Sequence, residues 1–247
     1  MEENNACAAN PNENLTVGGY GAIIGAKKEV SVLNVKEKIM AGGIIAIFRR
    51  LYEDDLHRVC DALYAGGIRV MEVTFDQSDA EGIDHTSAAI ESLCRWHPDL
   101  TVGAGTVLET QQLLAARQAG ATYMVAPNVD TALIAKCREW GMASMPGAMT
   151  PTEIAAAWQA GADLVKLFPA GYLGPEYVKH VHAPLGHIPL VATAGVTAEN
   201  LPAFLRAGCV GAGISGPLMD KKCIAAGNFT ELTARAEKLV RTFRENR

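Results

Sequence analysis

From about residue 34 onward the chain repeats one pattern eight times: a short run rich in β-branched residues, then a longer amphipathic stretch. Period-two runs read as strands and period-3.6 stretches as helices. The strand candidates are Ile44–Phe48, Arg69–Phe75, Leu100–Gly103, Thr122–Ala126, Ala143–Met145, Asp163–Phe168, Pro189–Thr193 and Val210–Ile214. Helical stretches follow them at Asp54–Tyr64, Asp79–Arg95, Glu109–Gln118, Asp130–Trp140, Thr152–Gln159, Pro175–Val181 and Ala198–Arg206, with a last one over Phe229–Arg244. Strict β-then-α alternation implies parallel strands, and eight such units close on themselves as a (β/α)₈ TIM barrel of the α/β class. An internal repeat agrees. Ala65-Gly66-Gly67, Ala119-Gly120-Ala121, Ala160-Gly161-Ala162 and Ala207-Gly208-Cys209 each end a helix and lead into a strand, after every second helix. Glycine suits the left-handed residue just past a helix end. An open doubly wound sheet, the competing fold, needs no such spacing.

A length of 247 residues fits one barrel domain over residues 34–247. Residues 1–33 are rich in Asn, Gly and Ala without a sustained period, and read as a flexible N-terminal extension. The formal net charge of −5 argues against nucleic acid as a partner. No run of about 18 apolar residues suggests a membrane span, and the first residues lack the order of a secretory signal. The expectation is a cytoplasmic protein. Six cysteines form no CxxC pair and sit among apolar neighbours, as reduced buried thiols do.

Chemistry in such a barrel gathers at the carboxyl ends of the strands. The segment Asp163-Leu164-Val165-Lys166-Leu167-Phe168 places a lysine in an apolar strand. Alternation turns Val165 and Leu167 toward the helices and Lys166 into the barrel. A buried ammonium loses its proton readily, and the free amine is a nucleophile toward carbonyls. The alternative is a lysine that snorkels to the rim or pairs with a carboxylate. Glu72, in Val70-Met71-Glu72-Val73-Thr74, faces inward by the same alternation. It can shuttle protons beside Lys166 or form a structural ion pair with Lys166 or Arg49.

Other strand ends offer room and donors. Gly103-Ala104-Gly105-Thr106 presents backbone amides and a hydroxyl suited to a carboxylate. Pro146-Gly147-Ala148-Met149-Thr150 opens a helix with Thr150 as N-cap. The turns Thr193-Ala194-Gly195 and Gly213-Ile214-Ser215-Gly216 lie where many barrels hold phosphate. Arg49 ends the first strand and either clamps a carboxylate or is solvated; Arg50 reads better as a solvated rim residue. The six histidines fall in helices or loops without metal-ligand spacing, so no metal site is expected.

Taken in order, Ile-Phe-Arg, Glu-Val-Thr, Gly-Ala-Gly-Thr-Val, Pro-Gly, Val-Lys-Leu-Phe-Pro-Ala and Thr-Ala-Gly-Val make the chain resemble the KDPG/KHG aldolase family over about residues 35–245. That family cleaves 2-keto-3-deoxy-6-phosphogluconate, or 4-hydroxy-2-oxoglutarate, to pyruvate and an aldehyde. The resemblance implies Lys166 as Schiff-base lysine and Glu72 as general acid/base. It implies Thr106 and Arg49 at the pyruvate carboxylate, Pro146 and Phe168 shaping the pocket, and Thr193, Gly195, Gly213 and Ser215 along the substrate chain. It also implies a small-molecule 2-oxo acid as the partner, no metal or organic cofactor, and a homotrimer.

Two positions depart from the family. Family members that bind a phosphorylated sugar acid carry an arginine four residues after the catalytic glutamate, where this chain has Asp76. In the last turn Ile214 stands where a serine often follows the glycine, with Ser215 one residue later. The expected substrate is therefore a 2-oxo-4-hydroxy acid whose far end need not carry phosphate. The rival readings are another barrel lyase or a sugar-phosphate epimerase, and a non-catalytic trimeric scaffold.

Overall fold

The computed structural model describes residues 34–247, so the expectation for residues 1–33 lies outside the described residues. A short helix α1 (Val35–Gly42) comes first. Then follow β1 (Ile44–Phe48), α2 (Glu53–Ala65), β2 (Val70–Thr74), α3 (Gly82–Trp96), β3 (Thr101–Gly105), α4 (Thr110–Gln118), β4 (Tyr123–Val125) and α5 (Thr131–Glu139). The second half runs β5 (Ala143–Met145), β6 (Gly147–Ala148), α6 (Pro151–Gln159), β7 (Val165–Leu167), α7 (Ala170–Leu185), β8 (Leu190–Thr193), α8 (Leu201–Arg206), β9 (Cys209–Ile214), α9 (Lys221–Ala225) and α10 (Phe229–Glu245).

All strand pairs are parallel, in the order β5-β4-β3-β2-β1-β9-β8-β7-β6. The two end strands β5 and β6 are separated in the chain only by Pro146. They form one strand, interrupted at a residue with no N–H to give to a ladder. The nine segments are thus the eight expected strands, and the sheet closes as a (β/α)₈ barrel.

Alternation along each strand builds two cores. Inside the barrel, Ile45, Val70, Tyr123, Val125, Leu164 and Val191 pack together with Ile39 of α1. Between strands and helices, Ala46, Met71, Val102, Val165 and Leu167 meet Leu56, Leu63, Ile90, Leu133 and Ile154. Each fully buried aliphatic side chain of this kind stabilises by roughly 1.5–3 kcal/mol. Helix α1 carries a capping box: Asn34 accepts from the Glu37 N–H at 2.9 Å, and Glu37 accepts from the Asn34 N–H at 2.9 Å.

The Ala-Gly repeat does what its chemistry suggests. Gly67, Gly120, Gly161 and Gly208 take φ of +93°, +101°, +95° and +116° after α2, α4, α6 and α8. In the first copy the left-handed residue is the second glycine, not Gly66. Elsewhere the observed bounds shift. Helix α3 starts at Gly82 rather than Asp79, because Asp76 and Asp79 organise successive turns before it (Asp79 N–H to Asp76 O, 3.3 Å; Gly82 N–H to Asp79 O, 3.1 Å). Helix α7 reaches back to Ala170, in two pieces broken at Gly174 (φ +75°, ψ 167°), with Pro175 opening the second.

Candidate active site

Lys166 sits at the centre of β7, with its backbone N–H donating to the Pro146 carbonyl at 2.9 Å. Its neighbours Val165 and Leu167 are buried against the helices, so its own side chain enters the barrel, where only 3% of the residue is exposed. Burial is the main influence on its amine and pushes the pKa below that of an ordinary lysine; Glu72 opposes this shift and Arg49 adds to it. The Nζ lies 5.0 Å from the centroid of the Phe168 ring, a contact that favours the ammonium form when the proton is on.

Glu72, in the middle of β2, is equally buried. Burial raises its pKa, and the charges of Lys166 and Arg49 pull it back. Its Oε1 has no hydrogen-bond partner among the described residues. The carboxyl group is therefore not tied up as one arm of a structural ion pair, and it stands free to exchange a proton. Two glycines of β3 make the space. A side chain on Gly105 would overlap the Glu72 carboxyl, and one on Gly103 would overlap the Tyr123 ring. Tyr123 is fully buried and donates from its hydroxyl to the Met71 carbonyl at 2.8 Å, packing the barrel beside the residue that precedes Glu72.

The remaining expected residues fall on the same end of the barrel. Thr106 follows β3 with φ +57°, and its carbonyl accepts from Gln77 Nε2 at 2.9 Å. Thr193 is buried at the end of β8, and Gly213 leaves the room its hydroxyl occupies. Ser215 donates to the Ile47 carbonyl at 3.0 Å, so its hydroxyl hydrogen is already engaged. Gly195 has φ +77° and lies against Gly171, whose N–H donates to Ala194 O at 2.8 Å; close backbone approach accounts for that glycine. Pro146 interrupts the strand beside Lys166, and Phe168 continues β7 with its N–H on Ala148 O. Of the four non-glycine residues with positive φ among the described residues, Arg50, Thr106 and Ala194 stand just past β1, β3 and β8, and Glu53 opens α2. Strained backbone concentrated on one face is a mark of functional sites.

A cleft of about 650 Å³ opens over the ends of β1, β2 and β9. Arg49, Thr74 and Ser215 line it; Lys166 and Glu72 do not, lying deeper in the barrel. Arg49 connects the two levels, since its charge acts on both buried groups. Arg50, read from sequence as a solvated rim residue, is indeed exposed but is paired with Asp76. Tyr123, the space that Gly105 leaves for Glu72, and the pairing of Arg50 with Asp76 were not read from sequence. The tyrosine hydroxyl in an otherwise apolar strand was the one available signal.

No group of three or more His, Cys, Asp or Glu residues suited to a metal ion occurs among the described residues. What the arrangement does offer is a buried amine of lowered basicity, a carboxyl group of raised pKa, and an arginine acting on both. Those are the parts for adding an amine to a carbonyl and moving protons around the adduct.

Residues 35–235 match the family model described as KDPG and KHG aldolase. The chain is 33% identical over 205 residues to the 2-dehydro-3-deoxy-6-phosphogalactonate aldolase of Escherichia coli (strain K12), covering 82% of this chain and 95% of that protein. It is 32% identical over 211 residues to the 2-dehydro-3-deoxy-phosphogluconate aldolase of Treponema pallidum (strain Nichols), covering 85% and 96%. Among solved structures, one described as native KDPGal structure superposes with a TM-score of 0.73 at 30% identity, covering 82% of this chain and 95% of that one.

Proposed function

Since the chain belongs to the KDPG and KHG aldolase family, we propose that it is a class I aldolase that cleaves a 2-keto-3-deoxy sugar acid to pyruvate and an aldehyde, with Lys166 as the Schiff-base lysine. The observation that carries the assignment is Lys166 itself, buried inside the barrel with a lowered pKa and within reach of the charge of an unpartnered Glu72.

The steps follow from those groups. The neutral Lys166 amine adds to the C2 carbonyl, and Glu72 supplies the proton that lets the carbinolamine lose water. The resulting protonated imine is an electron sink. Glu72, now a carboxylate, takes the proton of the C4 hydroxyl as the C3–C4 bond breaks; the bonding electrons flow to the imine nitrogen and the aldehyde leaves. Glu72 returns its proton to C3 of the enamine, and water hydrolyses the pyruvate imine to free the lysine. Arg49 and the amides near Thr106 hold the C1 carboxylate. Pro146 and Phe168 bound the pocket around C2 and C3, and Thr193, Gly195, Gly213 and Ser215 border the path of the carbon chain. Every proton in the cycle moves between substrate, water and these side chains.

No helix among the described residues is long and apolar enough to cross a membrane. We place the enzyme in the cytoplasm as a homotrimer, the assembly implied by its family resemblance; light scattering on the purified protein tests the trimer. Borohydride reduction with pyruvate, followed by mass mapping, tests the chemistry. A reduced adduct on Lys166 supports the aldolase, whereas an unmodified Lys166 would return the epimerase reading.

A further inference from the structure

Thr106 holds a conformation against its own preference. It directly follows Gly105, the glycine against which the Glu72 carboxyl group packs, and it takes φ +57°. A β-branched residue avoids that left-handed region unless its surroundings keep it there. Two glutamine side chains supply the restraint. Gln77, on the loop after β2, donates from Nε2 to the Thr106 carbonyl at 2.9 Å. Gln112, the third residue of α4, accepts from the Leu108 N–H at 2.8 Å and donates from Nε2 to Gln77 Oε1 at 3.0 Å. The bonds run from Leu108 through Gln112 and Gln77 to Thr106, and so close back on the turn where they began.

Gln112 is buried, with 5% of the residue exposed. A primary amide is costly to bury, and a position that only fills space is better served by an aliphatic side chain. The network also decides which groups of the turn stay free. The Val107 N–H donates to the Val125 carbonyl at 3.1 Å, and the Leu108 N–H is taken by Gln112. The donors left in Thr106–Leu108 are the Thr106 N–H and hydroxyl, which have no partner among the described residues. Two donors on one residue, next in the chain to the glycine under Glu72, suit a carboxylate.

We propose that Gln77 and Gln112 are positioning residues for the C1-carboxylate subsite, fixing the Thr106 turn so that its two free donors meet the carboxylate of a 2-oxo acid. The inference rests on the aldolase assignment above, in which the groups around Thr106 hold that carboxylate. Both glutamines act through Thr106. The carboxylate is present in substrate, imine and transition state alike, so a loosened turn weakens binding throughout the cycle, raises KM and leaves kcat nearly in place.

Exchange of the pyruvate C3 protons for solvent deuterium, followed by NMR, tests this. The exchange needs the Lys166 imine, Glu72 and the carboxylate subsite, and no aldehyde. Wild type, Gln77→Ala and Gln112→Leu are compared on pyruvate and on pyruvamide, its neutral analogue. Each variant should raise the KM for pyruvate by about tenfold, the worth of roughly one hydrogen bond to a charged group. Its kcat should stay within about threefold of wild type, and the kcat/KM advantage of pyruvate over pyruvamide should shrink by about tenfold. Gln77 is exposed, so Gln77→Ala decides the matter where Gln112→Leu fails to fold. A folded Gln77→Ala protein with KM and the advantage over pyruvamide unchanged overturns the inference, as does a fall in kcat at constant KM. Either result beside a borohydride-trapped adduct on wild-type Lys166 leaves the aldolase assignment standing. A wild type that neither exchanges nor traps pyruvate removes the assignment and the inference together.

Discussion

Gly105 and Glu72 share one volume: the space a side chain would need on Gly105 is filled by the Glu72 carboxyl group. Both residues lie on neighbouring strands, with Thr74 of β2 in register with Gly105 of β3. Gly105→Ala should therefore displace the acid/base group without unfolding the barrel. The expected loss in kcat is about 10²–10⁴-fold, the usual contribution of a positioned proton donor, with a stability loss of about 1–3 kcal/mol from overpacking. Circular dichroism with steady-state kinetics distinguishes this from collapse. Near-normal kcat in a folded Gly105→Ala protein would rule out Glu72 as the acid/base.

Lys166→Met should separate catalysis from stability. Lys166 is buried, and among the described residues no hydrogen bond ties its Nζ down, so an apolar side chain of similar length fits the same barrel interior with less desolvation. Removing one member of a buried charge pair is costly where the other stays ionised, but Glu72, with its pKa already raised by burial, becomes neutral by taking a proton once Lys166 is gone. Thermal unfolding should thus show an unchanged or raised Tm, while cleavage and borohydride trapping fall to background. A destabilised variant would mean that the lysine has a structural partner after all.

Much of this arrangement could be read in the chain. The inward direction of Lys166 and Glu72 followed from alternation, because Val165, Leu167, Met71 and Val73 had to face the helices. Strand positions followed from β-branched runs, and helix ends from the Ala-Gly repeat. Other features depend on contacts that no period encodes. Arg50 and Asp76 are 26 residues apart and meet across neighbouring strand ends, with Arg50 in a left-handed backbone conformation. Tyr123 announces a strand but not that its hydroxyl reaches a carbonyl 52 residues away. Helix α1 has a capping signal in Asn34-Val35-Lys36-Glu37, yet its eight residues follow a stretch without pattern and give too short a period to stand out. Pro146 drew attention as a pocket residue, whereas its missing N–H also splits a barrel strand.

Gly43→Ala provides the contrast to Gly105→Ala. Gly43 caps α1 with φ +67° and its N–H on Ile39 O at 2.9 Å, at the entrance to β1 and away from the catalytic end. The Phe243 ring of α10 covers the place a side chain would take. Left-handed strain and overpacking together should lower stability by about 2–4 kcal/mol. Denaturant unfolding should show the loss, with kcat per folded molecule unchanged. A parallel fall in kcat would mean that the two ends of the barrel are coupled.

The buried pair should also leave a signature in pH. Glu72 is raised and Lys166 lowered, so the two titrations approach each other and narrow the range over which the pair holds a single proton, the count that a free amine beside a protonated carboxyl requires. The kcat/KM profile should have its acid limb above the ordinary glutamate range and its alkaline limb below the ordinary lysine range. Stability carries opposite signs for the two groups. In the folded chain Glu72 keeps its proton in a window where the unfolded chain has lost it, so its contribution falls as pH rises through the raised pKa. Lys166 gives up its proton in the folded chain while the unfolded chain still holds one, so its contribution rises with pH from the lowered pKa toward the ordinary lysine value. Glu72→Gln removes the first effect and, with it, the charge that holds the Lys166 pKa up, a change that acts at higher pH. Its Tm relative to wild type should therefore climb between the ordinary glutamate pKa and the raised one, then level off. A wild-type–variant difference that stays flat across that window would mean that burial does not raise the Glu72 pKa.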